Sequence, residues 1–469
     1  MKTRLTRRNL LKIGATSFAA HASAGVSLPQ LLAADQANSN SSTSTGASFP
    51  SAKSCIFIHQ YGGLSQLDSW DMKPHAPAEI RGPYFQTSTA TPGFKICELM
   101  PKLARLSQKY SVIRSLTHKN AQHDQANSML LAGKTTPRKD DPSFGAMVTR
   151  LSPAQAAVPP HIWLQKYGGG AMPPEYTYLT GGNLGAGYAP MLIGKRHDEN
   201  PAQANFRVRA FDSDKSVTRE RLTQRRELSL QLRGLSDLGQ TPEFASEALF
   251  HEKSFDLIHS EAARAAFQVE KEKRTTRERY GMNPMGQNLL LARRLIEAGV
   301  RLVNVVAWAG LAAGEKFVSV ETWDMHGNAD VGIFENGWNG LPYALPVADQ
   351  SVAALIEDLD ERGLLESTLI VFVGEFGRTP KIRKGAKRIG RDHWPNCYSG
   401  MVAGGGIQPG VVYGESDRQG GYVQSNPVTL EDFTATLFSA MDIPPQSRLS
   451  PDGFTQPASS GQPIQALLR

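Results

Sequence analysis

Cysteine is scarce in this sequence, with three residues among 469 and no Cys-x-x-Cys pair. So few thiols exclude a disulfide-stapled scaffold and a structural metal site built from thiolates. Long apolar runs are also missing, since no stretch reaches the roughly 18 consecutive apolar residues that a membrane-spanning helix needs. We therefore predict no transmembrane span. Any metal site has to be built from histidine and carboxylate side chains.

A strong excess of charge is absent from most of the chain. The whole sequence carries 51 Lys and Arg against 44 Asp and Glu, a net charge of +7. Residues 1–24 contribute five of the cations and no acid, which leaves 46 basic against 44 acidic side chains in the remainder. Because nucleic-acid-binding proteins concentrate positive charge on their surface, this near balance predicts no nucleic-acid partner.

The basic start of the chain has the pattern of an export signal. Residues 7–12 (RRNLLK) precede a weakly apolar run and small residues, which is similar to the bacterial twin-arginine signal read by the twin-arginine translocase. The polar residues that follow cannot pack into a core. We predict a signal peptide at 1–34, with cleavage after residue 24 or 34, a flexible linker at 35–52 and a folded domain at 53–469. The mature protein is expected in the periplasm or outside the cell.

Short apolar runs alternate with helix-favouring segments along the folded part. Strands are predicted at 54–58, 112–113, 300–306, 368–373 and 401–403, and helices at 125–132, 288–298, 346–362 and 429–441. Residues 158–194 are crowded with Gly and Pro and predict an irregular excursion, whereas about 200–280 predicts an inserted helical segment. The alternation predicts an α/β fold with a mostly parallel central sheet and helices on both faces.

Histidines and acids gather where the predicted strands end. His59 follows the first strand, His118 and His123 follow the second, and Glu375 follows the strand at 368–373. In parallel sheets the carboxyl ends of the strands form the edge at which ligands bind. Imidazole combined with carboxylate suits Zn²⁺, Mn²⁺ or Fe, and carboxylate oxygens suit Ca²⁺. The sequence predicts one divalent ion, its identity open among these four, and the candidate ligands are Asp324, His326, Glu375 and His393, with His59 or Asp392 completing the set.

Basic side chains follow the predicted strand at 368–373 in the sequence. Arg378 lies between Gly377 and Pro380, and more cations occur at 381–391. A guanidinium beside a metal ion suits a tetrahedral oxyanion such as phosphate or sulfate. For residues 381–388 a solvated basic loop is an equally good interpretation. Each of the strand-end histidines and acids, taken alone, is also compatible with an ordinary surface or core residue, and only their convergence favours a site.

Four motifs together resemble the domain-of-unknown-function 1501 family. They are 59–71 (HQYGGLSQLDSWD), 323–328 (WDMHGN), 374–380 (GEFGRTP) and 390–395 (GRDHWP). The resemblance covers the chain from about residue 53 onward. It implies twin-arginine export and an alkaline phosphatase and sulfatase-like core, and segments 128–134, 368–377 and 428–445 are similar to parts of that superfamily.

The sequence departs from the superfamily pattern at the positions that carry its chemistry. The first strand of the relatives ends in a metal-binding Asp, where this chain has His59, and their nucleophile position falls near His123. Their Asp-His pair reads Glu375-Phe376 here. The resemblance therefore implies metal ligands at Asp324, His326, Glu375 and His393, but no clear counterpart of the covalent nucleophile.

Two functions remain open from the sequence. The first is a metal-dependent hydrolase of phosphate or sulfate esters on a small molecule or saccharide. His123 would be its general base or nucleophile, Arg378 would neutralise the oxyanion, and His118 and Arg391 would bind substrate. The second is a non-catalytic, metal-stabilised protein that binds a polysaccharide or serves in assembly. Its candidate sugar-stacking aromatics are Trp163, Tyr167, Tyr176, Tyr178 and Tyr188.

Overall fold

The computed structural model describes residues 51–153, 158–164, 179–194, 196–212, 218–234, 242–311, 314–315, 322–327, 331–385, 387–449 and 456–469. The predicted signal peptide, nearly all of the predicted linker, and Tyr167, Tyr176 and Tyr178 lie outside these residues. All described residues belong to one unit, 50–469. None of the described helices is long and apolar enough to cross a membrane.

The described chain contains sixteen strands and eleven α-helices. The strands are β1 (Ser54–His59), β2 (Gln86–Ser88), β3 (Lys95–Cys97), β4 (Tyr110–Leu116), β5 (His161–Leu164), β6 (Met191–Ile193), β7 (Leu302–Val306), β8 (Thr368–Val373), β9 (Gly377–Arg378), β10 (Arg383–Lys384), β11 (Ile389–Gly390), β12 (His393–Trp394), β13 (Tyr398–Gly404), β14 (Val412–Tyr413), β15 (Glu415–Ser416) and β16 (Val423–Ser425). The helices are α1 (Ala78–Arg81), α2 (Pro101–Arg105), α3 (His123–Ala132), α4 (Phe144–Leu151), α5 (Arg219–Gly234), α6 (Pro242–His259), α7 (Glu261–Ala266), α8 (Arg274–Tyr280), α9 (Pro284–Glu297), α10 (Leu341–Glu361) and α11 (Leu430–Ala440).

A large sheet of eight described strands forms the centre, in the order β14-β4-β13-β8-β1-β7-β5-β6. Its neighbours pair in parallel except around β13, which is antiparallel to both β4 and β8. The predicted α/β fold with a mostly parallel sheet is therefore confirmed.

The prediction of an irregular excursion at 158–194 was wrong at both of its ends. Strands β5 and β6 lie there, and with four and three residues they are too short for an apolar period to reveal them. Trp163 in β5 is only 2% exposed, so it packs in the core and offers no surface for a sugar.

Helices cover both faces of the sheet because strand side chains alternate between the two faces. In β1, Ile56 and Ile58 belong to a core shared with α9 and α10, whereas Cys55 and Phe57 belong to a core shared with α3, α4 and α11. Strands buried on both faces read as continuous apolar runs, which is why β8 (TLIVFV) was readable from the sequence. The three cysteines are buried and free.

One edge of the sheet collects the segments that carry the candidate site. The carboxyl ends of β1, β4, β7 and β8 share this edge, and the amino end of the antiparallel β13 lies there too. Helix α3 starts seven residues after β4 and ends at Gly133, whose left-handed φ of 66° terminates it as predicted. Residues 117–123, 323–327, 375 and 391–397 are therefore neighbours in space although they are far apart in sequence.

Buried ion pairs join the helices on one face of the sheet. The side chain of Arg293 in α9 is 1% exposed, and its Nε atom lies 3.0 Å from Oδ2 of Asp358 in α10. The same oxygen accepts a hydrogen bond of 2.8 Å from the hydroxyl of Tyr280 at the end of α8. Asp358 thus connects α8, α9 and α10, and its removal would leave a buried cation short of a partner.

We expect Asp358→Ala to lower the free energy of unfolding by about 3 kcal/mol, because it breaks a buried network and leaves Arg293 and Tyr280 incompletely paired. Glu278→Ala is the matched control, since it removes an acid from the exposed pair with Arg274 and is expected to lower the stability much less. Urea denaturation of the two variants measures the difference. Equal losses would show that the Asp358 network contributes no more than a surface pair.

Candidate metal centre

Four side chains converge at the carboxyl edge of the sheet. His123 is the first residue of α3, Asp324 and His326 lie beyond β7, and His393 opens β12. One donor atom of each lies within 4.8 Å of the donor atoms of the other three. The four side chains are between 16% and 22% exposed, so the group is mostly buried and still reachable from solvent.

The three imidazoles share a single carboxylate oxygen. From Oδ1 of Asp324 the distance is 3.2 Å to Nε2 of His123, 2.9 Å to Nε2 of His326 and 3.0 Å to Nε2 of His393. The Nε2 atoms of His326 and His393 are 2.7 Å apart. The same ring nitrogen of each histidine therefore points into the group.

The opposite nitrogen of each ring is held by an oxygen acceptor. Nδ1 of His123 lies 2.6 Å from Oε1 of Glu375, and Nδ1 of His326 lies 2.9 Å from Oδ1 of Asp392. Nδ1 of His393 lies 2.7 Å from the carbonyl oxygen of Ala121. Because a carbonyl or ionised carboxylate can only accept, we assign the ring proton to Nδ1 in all three histidines. Their Nε2 lone pairs then face the centre, which is the orientation of metal-binding histidines.

These residues fit a metal ion. With the protons on Nδ1, two Nε2 lone pairs face each other at 2.7 Å, which is unfavourable unless a cation lies between them. Nε2 of His123 also lies 3.2 Å from Oδ1 of Asp324, and a nitrogen lone pair and a carboxylate oxygen at that distance repel each other unless a proton or a metal cation lies between them. Three nitrogens and one carboxylate oxygen suit Zn²⁺, Mn²⁺ or Fe, while Ca²⁺ prefers oxygen and is the poorest match of the four predicted ions.

The electrostatics of the group favour a positive charge. Burial raises the pKa of Asp324, but the guanidinium of Arg378 and contacts with the three imidazoles lower this pKa far more, so the carboxylate stays ionised. Burial lowers the pKa of His123, but its contacts with Asp324 and Glu375 raise that pKa to about 10. Without a metal ion the His123 ring therefore holds a second proton, at Nε2, and a metal cation that replaced this proton would be stabilised by the same two carboxylates.

Arg378 lies directly behind Asp324. Its fully buried guanidinium donates from Nη2 to Oδ1 of Asp324 at 2.8 Å and to the carbonyl of Trp323 at 2.9 Å. Nη2 also contacts the carbonyl of Gly62, while Nε and Nη1 donate to the carbonyls of Gly63 and Arg391. In the structure this side chain anchors the carboxylate. The predicted contact of Arg378 with a substrate oxyanion stays a prediction and would require it to release one of these acceptors.

Three of the predicted metal ligands lie outside the four-residue group. Glu375 is fully buried, accepts the Gly62 N–H at 2.9 Å and holds the ring of His123. Asp392 lies behind His326 in the same way. Nε2 of His59 is 3.8 Å from Oε2 of Glu375, and burial lowers the pKa of this histidine. The fourth member of the group is His123, which the sequence suggested as base or nucleophile.

The two residues predicted to bind substrate are also buried. His118 accepts the Asn120 N–H at Nδ1, 3.1 Å away, and donates from Nε2 to the carbonyl of Glu375 at 2.6 Å. Burial lowers the pKa of His118, in keeping with a neutral ring. Nε of Arg391 lies 2.7 Å from Oδ2 of Asp68, and both side chains are at most 1% exposed. Their predicted roles in substrate binding remain predictions, since both side chains here hold other parts of the protein.

Two contacts around the group were not foreseen from the sequence. Gly62 has a φ of 111°, and a Cβ atom there would lie 2.4 Å from the backbone nitrogen of Asp324, so only glycine fits. The ring of Phe376 lies 4.4 Å from that of His393 and 5.0 Å from that of His123, centroid to centroid. The Gly62-Gly63 pair was a visible signal for close backbone approach, whereas nothing in the sequence indicated a packing role for Phe376.

We expect the purified wild-type protein to retain about one equivalent of Zn, Mn or Fe, and His326→Ala to retain less than about a tenth of that amount, because the variant loses a donor aimed at the centre. His75→Ala removes an exposed histidine and is the matched control. Elemental analysis of protein prepared without chelators measures both. Equal metal content in the two variants would contradict the assignment.

Glu375→Gln is expected to weaken Zn²⁺ binding by about 10- to 100-fold, because a neutral amide orients and polarises the His123 ring less than a carboxylate does. Glu366→Gln changes an exposed side chain and is expected to leave the affinity unchanged. Competition with a chromophoric chelator gives the dissociation constants. An unchanged affinity in Glu375→Gln would show that His123 is not a ligand held through Glu375.

Comparison with known proteins gives structural likeness at low sequence identity. No curated protein matches the chain. Among solved structures, the phosphonate monoester hydrolase SpPMH from Silicibacter pomeroyi is 12% identical with a TM-score of 0.34, and the match covers 89% of this chain and 76% of that one. The PsFucS1 sulfatase from Pseudoalteromonas sp. is 10% identical with a TM-score of 0.35, covering 88% and 73%. Similarity at this level transfers no activity to this chain.

The family model described as "Protein of unknown function (DUF1501)" matches residues 52–468, nearly the whole of the described part of the chain. The match contains all four histidine and aspartate donors of the centre and the residues that hold them. The chain therefore belongs to this family of proteins of unknown function, as its four motifs predicted.

Proposed function

We propose that this protein is a metal-dependent hydrolase of phosphate or sulfate esters, with His123, Asp324, His326 and His393 holding one divalent ion. The observation that carries the proposal is the convergence of three Nε2 atoms on one carboxylate oxygen, at 2.9–3.2 Å, with every Nδ1 atom held by an acceptor. Zn²⁺, Mn²⁺ or Fe in such a site acts as a Lewis acid that polarises the ester oxygen and makes water more acidic.

The protein's own residues hold the donors and keep them in the required protonation state. Arg378 keeps Asp324 ionised and fixed, because its guanidinium is buried against the carboxylate and four backbone carbonyls of neighbouring segments. Glu375 and Asp392 hold the proton of His123 and His326 on Nδ1. Donors that are fixed before the reaction need no reorganisation during it.

Exposure decides how a substrate reaches the donors. Each of the four side chains is 16–22% exposed, so one side of the group faces solvent while Phe376 packs against two of the imidazole rings. A compact, tetrahedral anionic group at the end of a substrate suits this opening. Water has access from the same side, as hydrolysis requires.

Export through the twin-arginine route is a further part of the proposal. It is supported by residues 7–12 (RRNLLK) and by the absence of acids from the first 24 residues. In this proposal, residues 1–34 are the signal peptide, 35–52 the linker and 53–469 the catalytic domain with a helical insertion at about 200–280. The mature hydrolase then works in the periplasm or outside the cell.

We expect the wild-type protein to hydrolyse p-nitrophenyl phosphate or p-nitrophenyl sulfate, and this activity to disappear on chelation and return when Zn²⁺ or Mn²⁺ is added back. Asp324→Asn is expected to lower kcat/KM by at least about a hundredfold, because it removes the only charge among the four donors. Asp360→Asn, an exposed aspartate, is the matched control. Release of p-nitrophenol at fixed protein and metal concentration measures the activity of the wild type and of both variants.

A protein that retains its metal, gains thermal stability from it and hydrolyses neither ester would contradict the hydrolase. It would favour the second candidate, a non-catalytic, metal-stabilised protein for binding a polysaccharide or for assembly. The burial of Arg378 favours that candidate, because its guanidinium is not exposed to a substrate. Among the described residues of the site, only Arg383 has an exposed guanidinium, and it pairs with Asp392.

A further inference from the structure

A hairpin rich in cations lies against the loop that supplies two of the four donors. We call residues 381–390, of which 386 is not described, the basic ribbon, and β10 and β11 are its two strands. The backbone N–H groups of Lys387 and Arg388 donate to the carbonyl of Gly327 at 3.2 and 2.8 Å. Gly327 directly follows the donor His326, so the basic ribbon borders the metal centre.

Some cations of the basic ribbon form ion pairs with acidic side chains, and others do not. Arg383 pairs with Asp392, and Nε of Arg388 lies 3.8 Å from Oε2 of Glu335. Lys381 and Lys384 are exposed, and neither has an acidic partner in the described part of the chain. They flank Arg383 in the sequence, two residues before it and one residue after it.

The exposure of the donors restricts the form of the ligand. Because each donor side chain is no more than 22% exposed, a group that projects from a chain can reach the centre, whereas a phosphodiester inside a polymer backbone cannot do so easily. The chain after residue 24 is close to neutral overall, with 46 basic and 44 acidic residues, and five of those cations but none of the acids lie in the basic ribbon. The basic ribbon is therefore a local concentration of positive charge in a chain without a general excess.

We propose that the basic ribbon binds a polysaccharide that carries several sulfate or phosphate groups. One pendant group enters the metal centre while groups on neighbouring sugars contact Lys381 and Lys384. The entry of a pendant group rests on the proposed hydrolase function, but binding along the ribbon does not require turnover. The substrate class is thus a multiply charged polysaccharide rather than a small monoester.

The test is the binding of fluorescein-labelled dextran sulfate to the full-length mature protein, followed by fluorescence anisotropy at low and high salt. We expect the wild type to bind dextran sulfate, with an affinity that falls as salt is raised, and not to bind uncharged dextran. The double variant K381E/K384E should bind at least about tenfold more weakly, and K381Q/K384Q should show a smaller loss. Metal content and melting temperature of both variants show whether they are folded.

The matched control is K271E/K273E, which makes the same change in net charge at two exposed lysines of the helical region. It is expected to bind dextran sulfate as the wild type does. An equal loss in this control, or no binding by the wild type, overturns the proposal. Equal affinity for single-stranded DNA of matched charge overturns the assignment to a polysaccharide, and phosphorylated dextran in parallel shows which pendant group is preferred.

The two proposals fail in different experiments. Binding of dextran sulfate without hydrolysis of any ester contradicts the hydrolase and leaves the polysaccharide surface in place. Chelator-sensitive hydrolysis of p-nitrophenyl esters without binding of dextran sulfate contradicts the polysaccharide surface and leaves the hydrolase in place.

Discussion

Asp324 remains ionised in a largely buried position because the guanidinium of Arg378 lies 2.8 Å from its Oδ1 atom. The same guanidinium donates to backbone carbonyls of Gly62 and Gly63 after β1 and of Trp323 before the carboxylate. One buried ion pair therefore fixes the exit of β1, the loop beyond β7 and the short strand β9 relative to one another. The positions of the three histidines follow, since each directs Nε2 to the anchored oxygen.

Such a centre is costly to form without a cation. Buried ion pairs contribute little net stability, because desolvation offsets most of the attraction, and three imidazole lone pairs facing a single point repel one another. The arrangement of the three histidines and Asp324 is therefore explained by metal binding and not by a contribution to the stability of the fold. Its acceptors behind the rings, Glu375, Asp392 and the Ala121 carbonyl, orient the donors whether or not the ion is present. Metal binding and local order at this edge are thereby linked.

Much of this arrangement could be predicted from the sequence, and the rest could not for definite reasons. Buried strands of six or seven residues are visible as apolar runs, so the edge that collects His123, His326 and His393 was predictable, as was the α/β fold. The pairing of each imidazole ring with its carboxylate could not be predicted. His123 and Glu375, for example, are 252 residues apart, and sequence spacing carries no information on their contact. The burial of Arg378 was equally invisible, since a guanidinium near Gly and Pro has the same sequence whether it faces solvent or carbonyls.

The basic ribbon and the metal centre are connected through Asp392, which accepts from His326 on one side and pairs with Arg383 on the other. An anion that bound Arg383 would have to compete with Asp392, and displacing that pair would disturb the carboxylate that holds a donor ring. Lys381 and Lys384 have no such commitment among the described residues, so an anionic polymer can contact them without moving His326. Lys381 and Lys384 therefore attract the ligand, whereas Arg383 and Asp392 keep the donor ring of His326 in place. A strongly charged substrate can approach the centre without changing its geometry.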